Sequence, residues 1–159
     1  MKSSPPLQTP SMVSSLLRDA GIRATDARRS VLSELLTSRR ALSHLELQDA
    51  FPTMDRVTLY RALDCLTEAD LVHKIPGDDR VFRYSTGNDH DTASKPTKGH
   101  HHGHFKCTRC TRVFCLDETQ EPGSLKEQLQ MSLEASLGRG FQSHDIELTI
   151  KGWCADCSK

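Results

Sequence analysis

The chain has 159 residues, 36% of them hydrophobic and 26% charged, with 21 Lys and Arg against 21 Asp and Glu. This composition excludes a disordered polymer and fits one large folded domain or two small ones. Zero net charge argues neither for nor against nucleic acid. Cutting at residue 84 leaves twelve basic against eleven acidic residues before it and nine against ten after, so a DNA-binding face must come from local arrangement. No apolar run approaches the ~18 residues of a membrane span. The opening MKSSPPLQTP has no apolar core of a secretory signal, so the expected compartment is the reducing cytoplasm.

Residues 1–10 are rich in Ser and Pro and read as a mobile tail. SMVSSLLRDAG reads as a short helix closed by Gly21. TDARRSVLSELLTSR predicts a second helix, with Thr25 as its N-cap and Val31, Leu32, Leu35 and Leu36 as its apolar stripe. SHLELQDAF carries a capping box, Ser43 with Glu46 three residues on. DRVTLYRALDCLTEADLV predicts a further helix whose Leu59, Leu63 and Leu66, continued by Asp70 and Leu71, share one face. LVHKIPGDDRVFRY is two strand-like runs around a Pro-Gly-Asp-Asp turn, a hairpin.

Helix, short helix, helix, hairpin is the order of a winged helix-turn-helix. Residues 85–99 contain no large apolar residue and read as a linker or hinge. Beyond it HHGHFKC and RVFCLD read as strands, GSLKEQLQMSLEASLG as a helix, and HDIELTI as a half-buried strand with Ile146, Leu148 and Ile150 alternating. The expected fold class is α+β: a winged-helix domain over 11–84 and a second α/β domain over 100–159.

Six cysteines are present, and four form two Cys-x-x-Cys pairs, Cys107 with Cys110 and Cys154 with Cys157. Zinc prefers tetrahedral thiolate or imidazole ligation, and two such pairs close one sphere as a structural site. The 43 residues between the pairs exceed the spacing of a compact zinc ribbon, so the site would tie the start of the second domain to its end. The competing readings are a redox pair or chance. A thioredoxin-like pair normally occurs singly, near a βαβ pattern that is absent here. Histidines crowd the approach to the first pair. In an extended strand His102 and His104 fall on one face, and His101 with Cys107 on the other, so one run can serve two metal sites.

Four segments carry a resemblance to the ferric uptake regulator superfamily of metal-dependent repressors, most like its zinc uptake branch. GIRATDARRSVLSEL resembles the family's Gly-x-Arg-x-Thr-x-x-Arg opening, and VTLYRALDCLTEADLV its recognition helix. HHHGHFKCTRC resembles the His-rich strand entering the first zinc knuckle, and GWCADC the closing pair. The resemblance implies a homodimer with winged-helix DNA-binding domains, a hinge and zinc-binding dimerisation domains, closed onto a palindromic double-stranded DNA operator when metal-loaded. It implies that Tyr60 and Arg61 contact bases, that Thr58 binds a phosphate, and that Arg23 enters an A/T-rich minor groove. The plain reading of the same positions is a solvated helix face.

The resemblance also completes two metal spheres. The regulatory one takes His102 and His104 with His73, which matches a wing histidine of zinc-sensing members, and Cys115, which stands where a carboxylate is usual. His100 is a substitute ligand. At the wing end, where a second carboxylate is common, the chain has Arg83. A thiolate among imidazoles favours zinc over iron(II) or manganese(II). The alternative for Cys115 is an ordinary buried strand cysteine. A third site would take His101 and His144 with Glu118 or Glu121, weakened because Gly103 stands where Asp is common. His44 reads as a surface or packing residue, His90 as solvated, and Cys65 as a small packing residue.

The function expected is a zinc-responsive transcriptional repressor, with iron- or peroxide-responsive regulation as the alternative. A zinc hydrolase or deaminase would need an open metal position and a fixed His-x-Glu with Pro-Cys-x-x-Cys, and no Pro-Cys-x-x-Cys occurs. A thiol redox switch is the third class.

Overall fold

The computed structural model of the chain describes residues 10–86, 103–116, 125–141 and 147–159. Helix α1 (Pro10–Asp19) buries Val13 and Leu17 and begins at Pro10, one residue inside the segment expected as tail. Gly21 closes it at φ +73°, a conformation that glycine adopts without penalty, as the N–H groups of Gly21 and Ile22 return to Arg18 and Leu17. Helix α2 (Asp26–Thr37) starts at Thr25, whose side chain accepts from Arg28 N–H, and buries Val31, Leu32, Leu35 and Leu36 as its spacing requires.

A two-residue strand β1 (Leu42–Ser43), not foreseen in the sequence, precedes α3 (His44–Ala50). Both halves of the capping box are made at its start: Glu46 N–H donates to Ser43 Oγ, and Ser43 N–H donates to Glu46 Oε2. Asp55 caps α4 (Arg56–Glu68), which buries Leu59, Ala62, Leu63 and Leu66. The expected stripe runs on through Asp70, but the helix stops at Glu68. Asp70 turns the chain at φ +56° and is exposed, while Leu71 packs against the core from outside the helix. A short polar side chain tolerates that left-handed conformation better than most.

Strands β2 (His73–Pro76) and β3 (Phe82–Ser85) form the hairpin, and β1 joins it to give a three-stranded antiparallel sheet of order β1-β3-β2. Ser85, expected as the first linker residue, is instead a buried strand residue opposite His73. Leu17, Leu32, Leu35, Leu47, Leu59 and Leu63 fill one continuous core under these helices, sealed by Tyr84.

The second sheet contains β4 (His104–Cys107), β5 (Val113–Cys115) and β6 (Thr149–Gly152) in the order β5-β4-β6, with β6 parallel to β4. Helix α5 spans Leu125–Leu137. The last strand starts later than its alternation implied. Ile150 is 46% exposed rather than half-buried, and Ile146 lies outside the described residues.

The two sheets meet along one seam. Ala41 N–H donates to Val113 O at 2.8 Å, and Ala41, Ile75, Val113 and Cys115 pack into a small apolar cluster of their own. This seam brings the hairpin onto the strand that follows the first cysteine pair.

Truncating Leu63, which has no exposed surface, to Ala should cost about 2–5 kcal/mol. Val57→Ala on the exposed face of the same helix should stay within about 0.5 kcal/mol. Urea denaturation of the two variants checks the contrast.

Candidate metal centre

The cysteine pairs meet because β4 and β6 are neighbours. Cys107 ends β4, and Thr108 N–H donates to Gly152 O across to β6, so the two turns stand side by side. Cys107, Cys110, Cys154 and Cys157 each offer a sulfur within 4.8 Å of the others. Cys110 and Cys154 sulfurs are 3.7 Å apart. Zinc–thiolate bonds of about 2.3 Å give a tetrahedron with edges of roughly 3.8 Å, so the cage fits that ion. All six cysteines are free thiols.

Backbone N–H groups reinforce the cage. Those of Cys110 and Cys154 point at Cys107 and hold its thiol down to about 6, while the neighbouring Cys154 thiol, with burial, pushes Cys157 up to about 12. One sulfur ionises readily and its neighbour resists, because adjacent thiolates repel one another. Around it, Arg109 lies 4.0 Å over the Trp153 ring and donates to Cys157 O, and Arg112 pairs with Asp156 at 2.6 Å. These contacts bolt the first turn to the last.

The second cluster sits on the seam. His73 from β2, His104 from β4 and Cys115 from β5 offer three donors within 4.8 Å of one another. His104 and Cys115 are register partners. His73 Nε2 lies 3.3 Å from Cys115 Sγ, and the two imidazoles are 5.8 Å apart at their centroids. Cys115 Sγ donates to Ser85 Oγ at 3.2 Å. Two imidazoles and a buried thiol from both sheets suit a borderline-soft cation. Ser85 is a neighbour that sequence reasoning missed, since nothing in a linker-like run marks a serine for this position.

Several expected residues lie outside the described residues: His102 of the regulatory set, His100, and all of His101, His144, Glu118 and Glu121. Gly103 is described, and a Cβ there would come within 3.0 Å of Leu148 Cδ2 and 3.2 Å of Leu116 Cδ1. The strand is therefore packed around a missing side chain where an Asp had been the common residue. Arg83, in β3, is buried and pairs with Asp79.

On α4, Val57, Tyr60 and Arg61 are exposed side by side, and Arg23 is exposed after α1. Thr58 is less available than expected: its hydroxyl donates to the capping carboxylate of Asp55 at 2.6 Å. His44 stacks near Tyr60, with ring centroids 5.6 Å apart, so it is a packing residue of this exposed face.

The model of the ferric uptake regulator family matches residues 19–150. The chain belongs to that family. The ferric uptake regulation protein of Bacillus subtilis is 29% identical over 149 residues, covering 89% of each chain, and the peroxide operon regulator of the same organism is 27% identical over 147 residues, covering 90% of this chain and 89% of its own. Among solved structures, a zinc uptake regulator complexed with zinc and DNA superposes with a TM-score of 0.57 at 26% identity, covering 94% of this chain and 92% of that one. The Vibrio cholerae ferric uptake regulator gives 0.60 at 22% identity, covering 89% and 98%, and shares the fold. The chain is thus a metal-responsive transcriptional regulator and not an enzyme. No helix among the described residues is long and apolar enough to cross a membrane.

The four-sulfur cage predicts that Cys154→Ser lowers bound zinc by one equivalent per chain and unfolds the second sheet, since structural zinc contributes on the order of 10 kcal/mol to small sites. Metal analysis after chelator dialysis, with a thermal melt, checks both.

Proposed function

We propose that the chain is a zinc-responsive repressor that binds a palindromic double-stranded operator as a homodimer in the cytoplasm. The observation that carries the reading is the cluster of His73, His104 and Cys115, because its donors come from both sides of the seam between hairpin and second sheet. His102, or His100 in its place, would complete the sphere. An ion held there supplies a bond between the two sheets. His73 fixes the hairpin and His104 with Cys115 fix the second sheet, so the angle between the DNA-reading helix and the dimerisation domain becomes single-valued. Without it the hinge samples open forms that bind an operator poorly.

The cysteine cage is assigned a separate structural zinc. The DNA-binding domain is taken as residues 11–84 extended by Ser85, and the dimerisation domain as 100–159. Exposed Ile150 and Trp153 on β6 and beyond, with Met131 and Leu137 on α5, supply apolar surface for a second copy. Arg61 and Tyr60 read base edges, Thr58 reaches phosphate if it leaves Asp55, and Arg23 enters the minor groove. His101 and His144 with Glu118 or Glu121 are a third site of lower weight, given the packing at Gly103. The iron(II), manganese(II) and peroxide-responsive alternatives would prefer a carboxylate-rich sphere. A buried thiol beside two imidazoles favours zinc.

Cys115→Ser and His73→Ala should keep the cage zinc yet raise the free zinc needed for operator binding by about 10-fold or more, the scale of disturbing a metal sphere. Arg61→Ala should cost about 1–3 kcal/mol in operator affinity and relax selectivity at one base pair. Both are read by fluorescence anisotropy at buffered free zinc, on an operator selected in vitro from random duplexes. Parent-like zinc dependence in both metal-site variants would move the sensing site elsewhere.

A further inference from the structure

Thr111 stands directly after Cys110, at φ +59°. That region favours glycine and is a genuine outlier for a β-branched residue. Neither burial nor the turn explains a threonine here: the residue is exposed, and its N–H already closes the turn onto Cys107 O at 3.0 Å. Its hydroxyl has a partner across the seam. Arg83 Nη2 donates to Thr111 Oγ1 at 3.2 Å.

The hairpin is shaped to present that guanidinium. Arg83 is only 6% exposed. It grips Asp79 through both nitrogens, at 2.9 and 2.6 Å, and donates to Val81 O. The pair holds the Asp79 carboxyl down at about 2. Gly77 leaves room for it, since a Cβ there would collide with Arg83 Nη1 and Asp79 Oδ1. Beside this contact Lys106 donates to Pro76 O at 2.8 Å, and Lys151 pairs with Asp78 at 2.8 Å. Strain tolerated at an exposed turn residue points to a use for its side chain.

We propose that Thr111 is a positioning residue that docks the hairpin onto the cysteine cage and so favours the closed seam. Cys107 and Cys110 set the turn, the turn sets the Thr111 hydroxyl, and the hydroxyl orients Arg83 and the hairpin. The cage then contributes one contact to the seam that the second cluster bridges. Its consequence for DNA rests on the zinc-repressor reading above; the docking itself does not.

The test uses zinc-loaded full chain carrying Thr111→Gly or Thr111→Ser. Glycine relieves the backbone and removes the hydroxyl, whereas serine keeps it. The Ala41 amide, which donates to Val113 O across the seam, reports docking by hydrogen exchange without DNA. In Thr111→Gly the Ala41 amide should exchange about 10-fold faster, what one hydrogen bond to a charged group amounts to, with cage zinc unchanged. The free zinc for half-maximal binding of the selected operator should rise by a similar factor. Thr111→Ser should match the parent in all three. Parent-like Ala41 exchange in Thr111→Gly overturns the proposal, and so does loss of the cage zinc in that variant, which would make Thr111 a turn residue only. Faster Ala41 exchange with parent-like operator binding supports the docking and counts against the repressor reading.

Discussion

The seam between the two sheets is the constraint on which the rest depends. Among the described residues it is made of one cross-sheet backbone hydrogen bond from Ala41 to Val113, a four-residue apolar cluster, and single side-chain contacts of Lys106 with Pro76 O, Arg83 with Thr111 and Cys115 with Ser85. A backbone hydrogen bond contributes a net of about 0.5–1.5 kcal/mol. The bridges of Lys106 and Lys151 share the exposed Asp78 carboxylate and are screened by salt from that side, so they add little. A junction of scattered polar contacts around four apolar residues holds its two sides less firmly than a large apolar interface would. On the proposed reading, metal donors on both sides of such a contact would help to decide its geometry, which they could not do across a large apolar interface.

Two clusters with different chemistry flank this seam. The cysteine cage joins parts of one sheet, so a zinc held there would be bound up with folding. The His73, His104 and Cys115 cluster joins two sheets, so an ion held there would be bound up with the angle between them. On the proposed reading, that separation would let one protein keep one metal and sense another. A site that holds the fold together has to stay filled, while a site that bridges a weak junction can fill and empty without unfolding either side. Cys115 belongs to both the apolar cluster of the seam and the donor set, so a metal held there would act directly on the packing of the seam.

Much of this was legible in the sequence because local rules carried it. The caps at Thr25 and Ser43, the leucine stripes of α2 and α4, and the cysteine pairs each follow from short-range spacing. The seam was not, because it joins residues far apart in the chain. Ala41 meets Val113, and Ser85 meets Cys115, with no pattern in either segment to announce the other. Strand β1 is two residues long, too short for alternation to show. Arg83 read as a missing carboxylate, whereas its partner Asp79 lies four residues back in the same hairpin. Asp70 kept the helical register of α4 on paper while the chain had already turned.

X-ray absorption at the zinc edge tests the central claim most directly. Protein loaded with one zinc per chain should show four sulfur neighbours near 2.3 Å. The difference spectrum on adding a second should show one sulfur with nitrogen or oxygen neighbours, and Cys115→Ser should remove that sulfur alone. A second zinc with no sulfur neighbour, or a spectrum unchanged by Cys115→Ser, would contradict an ion held across the seam by His73, His104 and Cys115.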